Sequence, residues 1–243
     1  MSNAGETYFQ ATRHPWPSLV LLLPWLAAYE IGMFALGSGE AEAFRSGADS
    51  WLRLALQGCG LQETYWAPVA VVGLLLGWTW FRRHDRPQDL LSLILGMSLE
   101  SILFAVGLWG ISRGLAPFLQ SVGLPLQLAI QTKESLVHVL SFVGAGIYEE
   151  VVFRLILFFG LILLLQLTCV PRALAIGFAA VLSATVFAAA HHVGPAGEAF
   201  DSFVFLFRTL AGLYFALLCQ FRGFGIAVGT HACYDVFVGV MIG

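Results

Sequence analysis

The chain has 243 residues, of which 58% are hydrophobic and 11% are charged, and its formal net charge is −3. Soluble domains carry about 25% charged residues, so this composition excludes an ordinary soluble domain. It indicates a single integral-membrane domain over residues 1–243, with the lipid bilayer as its first partner. The chain has no long basic run and no interleaving of basic with aromatic residues, which argues against nucleic acid as a partner.

Seven apolar stretches with the length of membrane-spanning helices follow one another along the chain. An α-helix needs about 20 mostly apolar residues to cross the hydrocarbon core of a bilayer. The stretches lie near residues 17–37, 66–81, 90–111, 135–167, 173–192, 202–220 and 224–242. The sequence therefore predicts an all-α fold, a polytopic transmembrane bundle of about seven spanning helices with a polar site inside it.

Two connecting stretches are less apolar than these predicted helices. Residues 40–63 mix charged residues with Trp and Leu, and we expect an amphipathic helix that lies in the membrane interface. Residues 112–134 contain Pro117 and Pro125, and we expect a loop or a re-entrant turn there.

The distribution of arginine predicts an orientation in the membrane. Arg82, Arg83 and Arg86 cluster between the second and third predicted helices, and such clusters mark cytoplasmic loops. The N-terminus then lies in the cytoplasm, and residues 193–201, which carry acidic residues and no cation, lie outside. We expect this orientation in a bacterial inner membrane. Four cations fall outside on this topology: Arg45, Arg53, Arg113 and Lys133.

Two adjacent glutamates interrupt one of the most apolar stretches. Glu149 and Glu150 lie within residues 143–159, and Arg154 follows Glu150 by four residues. An ionisable group at the centre of a spanning helix costs about 2.5–3.5 kcal/mol on insertion scales. The spacing predicts that Glu150 and Arg154 pair on one helix face. Glu149 points about 100° away and has no partner in its own segment, so it is the candidate for chemistry. The alternative is a buried ion-pair network that fixes helix packing.

Two histidines lie in the later apolar stretches. His191 follows Phe187 by four residues, and His231 precedes Asp235 by four. The second spacing places both side chains on one helix face, about 6 Å apart along the axis. Intramembrane ionisable residues face the bundle interior and mark a functional site by default. On the predicted topology the two histidines and Glu149 start at different depths, so we expect helix tilts or shifted boundaries where they meet.

Three motifs, in this order on separate apolar stretches, resemble those of the CAAX protease and bacteriocin-processing (CPBP) family. This is the family of glutamate-dependent intramembrane proteases that includes the Ras-converting CAAX endopeptidase. The motifs are Glu-Glu-x-x-x-Arg at 149–154, Phe-x-x-x-His at 187–191 and His-x-x-x-Asp at 231–235. The resemblance covers about residues 135–240, the predicted protease-like core. The last motif often ends in Asn in the family, whereas this chain has Asp235.

The resemblance implies an intramembrane endopeptidase that hydrolyses a peptide bond near a C-terminus or in a membrane-anchored tail. A carboxylate in an apolar site is a stronger base than one in water, so Glu149 would take a proton from the attacking water. His191 would hold that water, and His231 would donate to the developing oxyanion. Asp235 would also donate to the oxyanion if it is protonated; otherwise it orients His231. Glu150 and Arg154 would shape the site.

Zinc is the competing chemistry, because two His and one Glu can form a catalytic zinc site. The chain has no His-Glu-x-x-His motif, and the potential ligands come singly from three predicted helices. The resemblance favours a metal-free glutamate mechanism, so we expect neither a metal nor another cofactor.

Two functions of other classes stay open. One is a non-catalytic membrane scaffold or immunity protein of the same fold, and the other is a proton-coupled transporter with Glu149 as a relay. An inverted internal repeat would favour the transporter, and the sequence shows none.

The substrate of a protease is also open among a prenylated tail, a secreted peptide and a C-terminal sorting tail, all membrane-associated peptides or proteins. We further expect Arg208 to pair with Glu100; the alternative is that Arg208 contacts a carboxylate of the substrate.

Overall fold

A computed structural model of the protein describes residues 7–85, 87, 89–121, 136–194 and 197–242. Throughout these residues the regular structure is helical. The N-terminal half forms α1 (Tyr8–Ala11), α2 (Pro15–Leu36), α3 (Ser38–Phe44), α4 (Gly47–Gly58), α5 (Trp66–Phe81) and α6 (Leu90–Ser121). The C-terminal half forms α7 (Leu136–Glu150), a π-helical segment (Val151–Phe158), α8 (Phe159–Leu167), α9 (Arg172–Ala190), α10 (Ser202–Phe221) and α11 (Phe224–Ile242).

Helices occupy all seven predicted stretches, which confirms the all-α bundle. Within the described residues, five continuous helical stretches are long and apolar enough to cross a membrane, by length and composition: Pro15–Leu36, Leu90–Leu115, Val137–Leu167, Arg172–Ala190 and Ser202–Phe221. Helix α5 is also apolar but has only 16 residues. The protein is therefore an integral membrane protein.

The stretch predicted as a loop at residues 112–134 is helical in its first part. Helix α6 continues to Ser121 and includes Pro117. A proline removes one backbone hydrogen bond from a helix, but the apolar residues around it still favour the helix. The remainder of this stretch, with Pro125 and Lys133, lies outside the described residues, as does Arg86.

Two charged residues of α4, which lies between the first two predicted spanning helices, face the bundle. Helix α4 begins at Ser46, whose Oγ accepts a hydrogen bond from the amide of Asp49 at 3.3 Å. The helix is amphipathic, as predicted, but Asp49 and Arg53 on its polar face are buried. Their partners come from α2 and α7, so α4 covers a polar cluster instead of presenting it to water.

Small residues let the helices around the centre of the bundle approach closely. A Cβ atom at Gly146 would lie 2.8 Å from the backbone nitrogen of Ala232, so α7 and α11 are in backbone contact. A Cβ atom at Gly212 would lie 3.0 Å from Cα of Ala184, which brings α9 and α10 together in the same way. Such contacts are typical of helix pairs in membranes, and here they involve the helices with polar residues.

The expected pair between Arg208 and Glu100 does not form. Nη2 of Arg222 instead lies 2.6 Å from Oε1 of Glu100, and Nη2 of Arg208 lies 2.8 Å from Oε1 of Glu198. Arg208 and Arg222 stand at opposite ends of α10, about 20 Å apart at 1.5 Å per residue. Only Arg222 is at the depth of Glu100, which the spacing of single residues in the sequence does not reveal.

Candidate active site

Glu149 and His191 lie almost the same number of residues away from the connection between α8 and α9. Glu149 lies 18 residues before the end of α8 at Leu167, and Ala190 lies 18 residues after the start of α9 at Arg172. The two stretches run in opposite directions from a short connection, and the 3.8 Å between Oε2 of Glu149 and Nε2 of His191 shows that their far ends lie at a similar depth. The depth mismatch expected from the sequence is therefore absent between these two residues.

Glu149 faces two imidazole rings. Its Oε2 lies 3.8 Å from Nε2 of His191 and 3.8 Å from Nε2 of His231. These distances exceed hydrogen-bond length, so the carboxylate is close to both rings and hydrogen-bonded to neither. The residue is 8% exposed. Its partners come from α9 and α11, in agreement with the expectation that its own segment provides none.

His191 is held in one tautomer by the backbone. Its Nδ1 lies 2.8 Å from the carbonyl oxygen of Phe187. A carbonyl only accepts, so Nδ1 carries the proton, and Nε2 of the neutral ring presents a lone pair to Glu149. The Phe187 ring also makes an edge contact with the imidazole at 4.9 Å. Phe187 thus orients His191 through both its backbone carbonyl and its ring.

His231 faces carboxylates on both sides. Its Nδ1 lies 2.9 Å from Oε1 of Glu150, and its Nε2 lies 3.4 Å from Oδ2 of Asp235. The ring stacks on Phe215 at a centroid distance of 4.4 Å. Carboxylate oxygens accept hydrogen bonds, so both nitrogens are placed as donors, and an imidazolium ring can donate from both.

The predicted pair of Glu150 and Arg154 is present and fully buried. Nε of Arg154 lies 3.2 Å from Oε2 of Glu150, and Nη2 donates to the carbonyl of Gly212 at 3.2 Å. The guanidinium also lies over the rings of Phe187 and Phe215, at 4.5 and 5.5 Å. The pairing is incomplete, because Oε2 of Glu150 and both Nε and Nη1 of Arg154 have no hydrogen-bond partner.

Arg154 belongs to the π-helical segment, which begins directly after Glu150. Segments of this kind are rare and frequent at functional sites. The hydrophobic pattern of the sequence gave no sign of it, because the segment is apolar nearly all round. The six predicted site residues lie together around it, and we name them the carboxylate–imidazole centre: Glu149, Glu150, Arg154, His191, His231 and Asp235.

The centre is partly exposed on one side. The side chains of His191 and Asp235 are each 24% exposed, and both lie toward the C-terminal ends of their helices. The chain after His191 folds back here, since the amide of Glu198 donates to the carbonyl of His191 at 2.9 Å. Arg208 donates to the Glu198 carboxylate and holds its pKa below the ordinary value.

In the described part of the chain, no group of three or more His, Cys, Asp or Glu side chains is arranged to hold a metal ion. The zinc alternative stays a prediction to be tested in solution. The nitrogens of His231 are placed as donors to carboxylates rather than as lone-pair ligands.

The fold and the centre together define a class of protein, an integral membrane helical bundle with a buried carboxylate–imidazole site. The family model described as Type II CAAX prenyl endopeptidase Rce1-like matches residues 131–237. Over these residues the chain is similar to the CAAX protease family, which confirms the resemblance seen in the motifs and supports a protease kind of function. Neither the curated proteins nor the solved structures contained a match.

Proposed function

We propose that the protein is an intramembrane endopeptidase that cleaves near the C-terminus or in the membrane-anchored tail of its substrate, with a water activated by Glu149. The observation that carries the proposal is the placement of Glu149. Its carboxylate is nearly buried, has no ion-pair partner on its own helix and faces two imidazole nitrogens at 3.8 Å. The family match over residues 131–237 supports the same kind of reaction.

In the proposed reaction, Glu149 and His191 position the attacking water. Glu149 accepts one proton of the water as general base. Nε2 of His191 accepts a hydrogen bond from the second O–H group of the water, because the lone pair of Nε2 points to the same space as the carboxylate. The oxygen of the water then attacks the carbonyl carbon of the scissile peptide bond. Glu149 later gives its proton to the leaving amine.

His231 stabilises the oxyanion in this proposal. Glu150 accepts from Nδ1 and Phe215 stacks on the ring, so the imidazole has a fixed orientation. Its Nε2 lies on the Glu149 side, where the carbonyl oxygen gains charge, and a preorganised donor there lowers the barrier. Arg154 supplies the charge that balances Glu150. Asp235, near the same Nε2, either orients the ring or donates beside it.

The first test is a cleavage assay in membranes with three substrates: a prenylated C-terminal peptide, a secreted precursor and a protein with a C-terminal membrane tail. Glu149→Gln should lower turnover of the cleaved substrate by about 10²- to 10⁴-fold, the usual contribution of general acid–base catalysis. The variant should unfold in detergent at the temperature of the parent.

Glu198→Gln is the matched control, because it makes the same chemical change on a glutamate whose side chain is 54% exposed. It should keep turnover within about threefold, as expected for a surface pair. Near-normal turnover by Glu149→Gln would overturn the assignment of the base. A parent that cleaves none of the substrates would favour the non-catalytic scaffold.

The proposal includes a bacterial inner membrane and a cytoplasmic N-terminus. Two native cysteines test the orientation, since Cys59 and Cys169 are exposed whereas Cys219 is buried. A membrane-impermeant maleimide added to intact spheroplasts should label Cys59 and leave Cys169 unlabelled until the membrane is opened. The reverse pattern would show that the N-terminus lies outside.

A further inference from the structure

A second buried charged cluster lies outside the carboxylate–imidazole centre, where α4 packs against α2 and α7. We name it the N-terminal polar network; its members are Tyr29, Glu30, Arg45, Asp49, Arg53 and Tyr148. At its centre, Nη2 of Arg53 donates to Glu30 at 2.9 and 3.2 Å, and Nε of Arg53 donates to Asp49 at 2.7 Å. Nη1 of Arg53 donates to the carbonyl of Thr64.

Two tyrosines complete the network from opposite sides. The hydroxyl of Tyr29 donates to Oδ2 of Asp49 at 2.8 Å, and the hydroxyl of Tyr148 donates to Oε1 of Glu30. Both tyrosines are fully buried, and their ring centroids are 5.8 Å apart. Arg45 donates a further hydrogen bond to Oδ2 of Asp49 at 2.6 Å.

The two carboxylates of this network and the guanidinium of Arg53 have a hydrogen-bond partner at every oxygen and nitrogen. Both oxygens of Glu30 and both oxygens of Asp49 accept at least one hydrogen bond. All three guanidinium nitrogens of Arg53 donate. A fully satisfied buried network is rigid, because each member would lose its partner in a low dielectric if it moved.

The network ends one residue before Glu149. Successive residues of a helix point about 100° apart, so Tyr148, Glu149 and Glu150 point to three different neighbours. Tyr148 is bound to Glu30 of α2, and Glu150 is bound to His231 of α11. The carboxylate of Glu149 lies between them and is hydrogen-bonded to neither imidazole that it faces. The residues on either side must therefore fix its direction.

We propose that Tyr148 is a positioning residue for Glu149 and that Glu30 and Arg53 hold Tyr148 in place. The inference rests on the proposed role of Glu149 as the base. Glu30 and Arg53 precede residues 131–237, so the family match does not include them. In this view the N-terminal helices do more than anchor the protein in the bilayer, because they set the direction of the catalytic carboxylate from outside the protease-like core.

Two Tyr→Phe variants test the proposal, because each removes one buried hydroxyl from the same network. Tyr148→Phe should lower kcat by about tenfold or more with KM unchanged, since a displacement of about 1 Å can cost 10²-fold in rate. Tyr29→Phe leaves the contact of Tyr148 with Glu30 intact, so kcat should stay within about twofold. Both variants should lose similar stability in detergent.

The outcome is decided by the difference between the two variants. If Tyr148→Phe keeps the kcat of the parent, or if both variants lose activity in proportion to their loss of stability, the positioning role is refuted. A variant that combines Tyr148→Phe with Glu30→Gln adds a second criterion. Its kcat should equal that of Tyr148→Phe alone, because both changes remove the same contact. A loss of kcat equal to the product of the two single losses would contradict the proposal.

A readout without substrate separates this inference from the proposed function. A hydrophobic carbodiimide reacts with carboxyl groups in membranes, and peptide mass spectrometry distinguishes modification at Glu149 from that at Glu150, with Glu149→Gln as the unlabelled control. Tyr148→Phe should change the labelling rate at Glu149 by at least about twofold, and Tyr29→Phe should not. This result would support positioning even if the parent cleaves nothing. Equal labelling in all three proteins would overturn the inference even if the parent is a protease.

Discussion

The N-terminal polar network and the carboxylate–imidazole centre meet at one turn of α7, yet their polar atoms are paired to different degrees. In the network, both oxygens of Glu30 and of Asp49 accept hydrogen bonds. In the centre, Oε2 of Glu150 and two nitrogens of Arg154 have no hydrogen-bond partner, and Glu149 stands 3.8 Å from its two imidazoles. A buried group without a partner costs about 1–3 kcal/mol. Complete pairing is typical of a structural cluster, whereas the incomplete pairing of the centre fits the proposed role of Glu149 as a base.

The largest effect should come from the buried arginine of the centre. Arg154→Ala removes the cation that is paired with Glu150 inside the bundle and leaves only His231 beside it, which should cost about 3–5 kcal/mol of stability. Thermal unfolding in detergent measures it. Arg208→Ala is the matched control, because its pair with Glu198 is more exposed and should contribute about 1 kcal/mol or less. Unchanged stability of Arg154→Ala would show that the centre tolerates an unpaired carboxylate, and the comparison between the clusters would fail.

The corresponding change in the network should cost somewhat less. Arg53→Met removes the cation shared by Glu30 and Asp49 and should lower stability by about 2–3 kcal/mol. The loss is smaller than for Arg154 because the Glu30 side chain is 20% exposed, so water can partly solvate its carboxylate after the cation is removed. The same unfolding experiment applies, with Arg53→Lys expected between the parent and Arg53→Met. If Arg53→Met unfolds like the parent, complete pairing does not mark a structural cluster.

A smaller effect is expected from the residue that departs from the family pattern. Asp235→Asn should change kcat/KM by less than tenfold, about 1.4 kcal/mol, because an amide can donate beside Nε2 of His231 as a protonated Asp does. The measurement is the pH–rate profile of the variant beside that of the parent. A hundredfold loss at every pH would show instead that an ionised Asp235 orients His231.

The smallest effect should come from removing metal ions. Exhaustive dialysis against a chelator should change turnover by less than about twofold if Glu149 activates the water unaided. Activity lost in the chelator and restored by added zinc would contradict this result. It would show that Glu149, His191 and His231 are zinc ligands, and a zinc-dependent mechanism would then replace the metal-free glutamate mechanism.

Features that depend on one segment could be predicted from the sequence. Runs of apolar residues located all seven helices, and the spacing of Glu150 and Arg154 identified a pair that the structure contains. The same spacing rule singled out Glu149 as the carboxylate without a partner on its own helix.

Features that depend on the depth and rotation of separate helices could not be predicted. Which arginine binds Glu100 is decided by the height of residues on α10, and Arg222 was missed for this reason. The burial of Asp49 and Arg53 depends on carboxylates and hydroxyls provided by α2 and α7. An amphipathic pattern shows that one face is polar, but it does not show whether that face meets water or other polar side chains.

The π-helical segment Val151–Phe158 has a consequence for sequence comparison. Its wider turns accommodate more residues than an α-helix of the same height, and each residue added to or removed from a helix rotates what precedes it by about 100°. A deletion of one residue between Arg154 and Phe159 would turn Glu149 away from both histidines without altering any motif residue. A relative aligned with a gap at this place should therefore be inactive unless a second change restores the rotation, even when every residue of the three motifs is retained.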